Sequence, residues 1–128
     1  MPSPEDAPVN TAAQILVALV AGLHVYFLVL EMFLWERGPG RSLSGFDAEM
    51  ARATASLAAN QGLYNGFLAA GLVWGLIAGD PTGYRAQIFF LSCVTVAGLY
   101  GAATANRRIL VAQALPGAIA LALVLAAG

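Results

Sequence analysis

Residues 7–30 read APVNTAAQILVALVAGLHVYFLVL, a stretch without a single Asp, Glu, Lys or Arg. A helix of about 20 residues crosses the ~30 Å hydrocarbon core of a bilayer, so this stretch is long enough to do so. Its polar and apolar residues do not alternate as in a barrel strand of about 10 residues. A chain in lipid must satisfy its own peptide groups, and the helix is the structure that does so here. The segment before it, MPSPED, is acidic and lacks the positive region of a cleavable signal peptide. The run also continues into Glu31 and Trp35 without a cleavage site, so it is read as a retained first span.

Three more uncharged runs follow, Ala53–Gly79, Ala86–Asn106 and Ile109–Gly128. Charged residues make up only 10% of the chain, against about 25% in soluble domains. That is too few to coat a small water-soluble domain, whose surface is large for its volume. The expected fold is all-α: an integral membrane four-helix bundle, one transmembrane domain over residues 1–128 with spans at about 11–35, 50–79, 84–105 and 108–127. Gly38-Pro39-Gly40 breaks the first helix. Ser44 and Asp47, three residues apart, resemble a capping box for the second. Asp80-Pro81-Thr82-Gly83 is a turn by composition, and the short Asn106-Arg107-Arg108 link makes the third and fourth spans antiparallel neighbours. Pro116 should kink the fourth.

Arg37, Arg41, Arg52, Arg107 and Arg108 fall on one side of this arrangement and Arg85 alone on the other. The positive-inside rule then places both termini outside. The expected location is the cell inner (plasma) membrane, as a multi-pass protein with membrane lipid as its surroundings. A net charge of −1 gives no reason to expect nucleic acid. The lone cysteine, Cys93, reads as a small buried hydrophobe. One His and one Glu within the spans do not make a metal site, and no cofactor is expected. The second span carries Gly62-x-x-x-Gly66 and Gly71-x-x-x-Gly75-x-x-x-Gly79. Small residues at this spacing allow close helix approach. They read either as the centre of the bundle or as the seam of a homo-oligomer.

Polar side chains inside spans usually face the bundle interior. His24 and Glu31 lie seven residues apart on one face of the first span, about 10 Å along its axis. The second span holds Asn60, Gln61, Tyr64 and Asn65, and Gln113 adds an amide in the fourth. Counted from the membrane edges near Trp35 and Ala53, His24 lies about 16 Å deep, Glu31 about 6 Å, and the Asn60–Asn65 group about 10–18 Å. His24, Glu31, Asn60, Gln61, Tyr64, Asn65 and Gln113 therefore form the candidate ligand pocket.

His24, Glu31-Met32 with Trp35, and the run Asn60-Gln61-Gly62-Leu63-Tyr64-Asn65-Gly66-Phe67-Leu68-Ala69 occur together in this chain, as do Gly98-Leu99-Tyr100-Gly101 with Thr104 and Gln113 with Leu115-Pro116. In these elements the chain resembles the bacterial four-span membrane proteins catalogued as domain of unknown function 1304. The resemblance implies a four-helix membrane fold and brings no substrate, reaction or catalytic residue with it.

Three functions fit these residues. One is binding or transport of a small, partly apolar molecule, with Glu31 as the electrostatic or proton-coupled contact. Another is an integral-membrane enzyme acting on a lipid or quinone, with His24 or Glu31 as acid or base. The last is a structural or assembly protein without a small ligand.

Overall fold

The computed structural model describes residues 7–128, with side chains from Val9 onward. The remainder of the expected acidic tail, residues 1–6, lies outside the described residues. The elements are α1 (Ala7–Phe33), α2 (Gly38–Ser44), α3 (Ala48–Ile77), α4 (Thr82–Thr104), a π-helical turn (Leu110–Ala114) and α5 (Leu115–Ala127). All regular structure among the described residues is helical, and the long helices occupy the uncharged runs. Val9–Phe33, Thr82–Thr104 and Leu110–Ala127 are long and apolar enough to cross a membrane. Helices of that length and character mark a membrane protein.

By contacts the chain forms two compact units, one of Gly22–Ala69 and one of Ala70–Gly128 together with α1 up to Ala21. In the Gly22–Ala69 unit α3 runs antiparallel to α1. A Cβ placed on Gly66 would meet Leu28 Cδ1 at 2.6 Å, and one on Gly62 would meet Met32 Cγ at 2.8 Å. Further along, Trp35 Nε1 donates to Thr54 Oγ1 at 3.0 Å. Ala51, Ala58, Gly62, Asn65 and Ala69 make the buried face of α3. These are small side chains, and small side chains let helix backbones approach.

The connection between α1 and α3 departs from the expected loop. Gly38-Pro39-Gly40 ends nothing further; it opens the seven-residue helix α2, with Pro39 in the first turn. A proline there costs no hydrogen bond, because a helix's first N–H groups have no internal acceptor. Gly40 is required, since a side chain on it would run into the Leu34 carbonyl and the Trp35 backbone. α2 stops at Gly45, whose φ of 75° is left-handed and whose N–H bonds to the Arg41 carbonyl. The capping assignment also changes. Asp47 caps α3, its Oδ1 accepting from Met50 N at 2.8 Å, while Ser44 Oγ accepts from Phe46 N at 3.1 Å within the turn.

In the other unit α4 is antiparallel to α5. Gly101 faces Ile109, Gly98 faces Ala114, and Gly117 faces Val94 and Thr95. Val17, Val20, Leu72, Leu91, Val94 and Val124 are its largest fully buried apolar side chains. The π-helical turn lies just before Pro116, with Leu115 N bonded to the Leu110 carbonyl five residues back. Proline supplies no N–H and crowds the carbonyl four residues before it, and the wider turn takes up that conflict.

At Gly98 a Cβ would sit 2.6 Å from Ala114 N. Gly98→Leu is expected to force α4 and α5 apart and lose about 1–3 kcal/mol of stability, read by denaturant titration in mixed micelles. Gly22 has nothing within 4 Å; Gly22→Ala should be neutral or stabilising by up to about 1 kcal/mol.

Candidate functional site

The Gly22–Ala69 unit brings two of the singled-out polar residues into direct contact. Asn65 Nδ2 donates to Glu31 Oε1. Asn65 is buried and Glu31 part-exposed, so the amide fixes one carboxylate oxygen while the residue stays reachable from outside the fold. The approach that permits this is made by glycine: a Cβ on Gly62 would lie 3.0 Å from Glu31 Cβ and 3.2 Å from the Leu28 carbonyl. An asparagine side chain is short, and only backbones this close let it span the gap.

His24 is fully buried, 0% exposed, with its ring edge-on to Phe27 at 5.5 Å between centroids. It stands two turns of α1 from Glu31. Asn60, Gln61 and Tyr64 are exposed, with Asn60 and Tyr64 turned away from Asn65 around α3. Gln113 is half-buried in the π-helical turn. The separation within α3 follows from rotation. At 100° per residue, Asn60 stands about 140° from Asn65 around the helix axis, so comparable depth does not mean a common face. The small residues carry the signal that sorts them. Ala51, Ala58, Gly62, Asn65 and Ala69 recur at spacings of seven, four, three and four, and that stripe includes Asn65 but neither Asn60 nor Tyr64.

A family model described as "Protein of unknown function (DUF1304)" matches residues 18–125. The chain belongs to the DUF1304 family. The match takes in every polar residue discussed above, from His24 to Gln113. No curated protein and no solved structure matches this DUF1304 chain.

Sequence reasoning missed two further polar contacts. Trp35, read as an interfacial marker, ties α1's end to α3 through Thr54, whose own hydroxyl donates to the Met50 carbonyl at 2.7 Å. In the other unit Gln87 Nε2 donates to the Gly75 carbonyl at 2.8 Å and to Gln14 Oε1 at 3.2 Å. This pair borders a cleft of about 330 Å³ that is also lined by Asn10, Asp80 and Tyr84. A glutamine in each of two uncharged runs was the available signal. Among the described residues no three His, Cys, Asp or Glu side chains come together as metal ligands.

The Glu31–Asn65 bond makes a specific energetic prediction. Asn65→Leu should cost about 1–3 kcal/mol, because the half-buried carboxylate loses its amide donor. Glu31→Gln should cost less, since its carbonyl can still accept. A double-mutant cycle with both changes is expected to give a coupling of about 0.5–2 kcal/mol; strictly additive effects would show that the bond contributes nothing.

Proposed function

We propose that this DUF1304 chain spans the membrane four times, with both termini outside. We further propose that it binds or transports a small, partly apolar molecule through the Glu31 carboxylate. The four-span reading is supported by where α3 packs. In one unit it lies along α1 at Gly62 and Gly66, and in the other along α4, where Gly71 meets Phe90 and Gly75 meets Gln87. Both partners are long and apolar enough to cross, and α3 runs antiparallel to each. At 30 residues, or about 45 Å, it is also long enough. Beyond Arg52 it carries no charge, and its hydropathy there is lowered by the Asn60–Asn65 group.

The binding reading is carried by one observation, the Glu31 carboxylate oriented by Asn65 in an otherwise apolar stretch of α1. A carboxylate there accepts hydrogen bonds from an amine or hydroxyl, and the surrounding Leu28, Met32 and Phe27 side chains suit an apolar body. Its natural ligand is therefore amphipathic, with a donor group at one end. His24 stands two turns of α1 from Glu31, about 10 Å along the axis, with its ring buried against Phe27.

Two measurements test this. In a Cys93→Ser background, Ser42→Cys should react with an impermeant maleimide only after cells are opened, and Thr82→Cys in intact cells. Labelling of both from the same side would show that α3 does not cross. Trp35 sits one turn from Glu31 and reports on its surroundings. Titration of the detergent-solubilised protein with amphipathic amines and quinones should change its tryptophan emission, with affinity at least about ten-fold weaker in Glu31→Gln. No response, or an equal one in the variant, would remove the binding role.

A further inference from the structure

α3 has two long faces between positions 51 and 69, and among the described residues only one is buried. Positions 53, 57, 60, 64 and 67 repeat at four, three, four and three, the 3.5-residue period of a helix–helix seam. All five are exposed, with Leu57 at 74%, Tyr64 at 55% and Phe67 at 56%. The opposite face, where Gly62 and Gly66 lie, is taken up by Leu28, Glu31 and Met32 of α1. Of the glycines that sequence alone offers as an oligomer seam, Gly62, Gly66, Gly71 and Gly75 meet neighbours within the chain, while the uncovered stripe carries Ala53, Leu57, Asn60, Tyr64 and Phe67, flanked by Gln61.

Leucine and phenylalanine on this face need no partner in lipid. The amides do: hydrocarbon offers neither donor nor acceptor, and an amide without either costs several kcal/mol. Asn60 lies seven residues beyond Ala53, about 10 Å along α3, out of reach of headgroup water. An amide is both donor and acceptor, so its full complement is another amide. Across a two-fold axis the same side chain supplies that complement, N–H to carbonyl in both directions. Tyr64 and Phe67, packed edge-to-face at 5.9 Å between centroids, set a compact aromatic ridge beside it. We propose that a second copy of this chain docks here, α3 against α3, with Asn60 facing Asn60.

This inference rests on the four-span reading, since only in lipid do the amides demand a partner. In a Cys93→Ser background, single cysteines at positions 53–67 are oxidised in membranes of the expressing cell, and dimers are read on non-reducing gels. Cross-linking should peak at 53, 57, 60, 64 and 67 and vanish at 58, 62 and 65. Wild type in mild detergent should have twice the 13.2 kDa chain mass by light scattering. Asn60→Leu should weaken the dimer about ten-fold and Asn60→Gln much less. With Ser42 and Thr82 labelled from opposite sides, a monomeric mass, a flat cross-linking pattern, or adducts only to a different protein would overturn the seam and leave the spans intact. Labelling of both from one side would overturn seam and spans together.

Discussion

The close approach of α3 to α1 is the contact on which the Gly22–Ala69 unit depends. At Gly62 the space for a methyl group is already filled by Glu31, Met32 and the Leu28 carbonyl. On the proposed four-span reading both helices lie in lipid, where they gain nothing from hiding apolar surface from water, and van der Waals contact between near backbones holds them. Once α3 is that near, Asn65 has no other place to put its amide than beside Glu31. The bond is thus a consequence of the glycine contact. A larger residue at position 62 would press on Glu31 and break the bond with both partners unchanged in sequence.

The connection between the two helices serves the same contact. From Leu34 to Asp47 the chain must reverse direction and deliver α3 at the right distance, and α2 is the means. Gly40 lies against the Leu34 and Trp35 backbone, Gly45 supplies the left-handed exit, and Arg41 Nε donates to the Phe46 carbonyl across the turn at 3.3 Å. Trp35 then meets Phe46 edge-on at 6.0 Å between centroids and reaches Thr54 with its indole N–H. An apolar ring and a polar tip suit a helix end where lipid gives way to water.

The helices were legible because charge is so costly in hydrocarbon that its absence marks them. Their ends, near Trp35, Gly79, Asn106 and the Arg pair, differ from the observed ones by a few residues. α2 was not legible, because Gly-Pro-Gly is read as a break whether it ends one helix or starts another; the deciding fact is the tertiary contact at Gly40. Ser44 and Asp47 are both good capping residues, and only the course of the chain selects Asp47. In the candidate site, depth along α3 was legible, but which face meets α1 was not; the small-residue stripe that carries Asn65 is the feature that marks that face.

The energetics of Glu31 and Asn65 bear on what the pair is for. Each needs the other: removing one strands its partner away from water. Replacing both by apolar side chains of similar shape costs little in such cases, and in some proteins stabilises. The glycine contacts at positions 62 and 66 hold α1 and α3 together without help from this bond. The pair is therefore dispensable as glue. What it adds is a carboxylate oriented by a buried amide and still reachable at the edge of α1, in a stretch where Leu28, Leu30, Met32 and Phe33 offer nothing polar. That combination is of use to a molecule that brings a hydrogen-bond donor into an apolar place, and it is the physical ground for reading the Glu31 region as a binding feature.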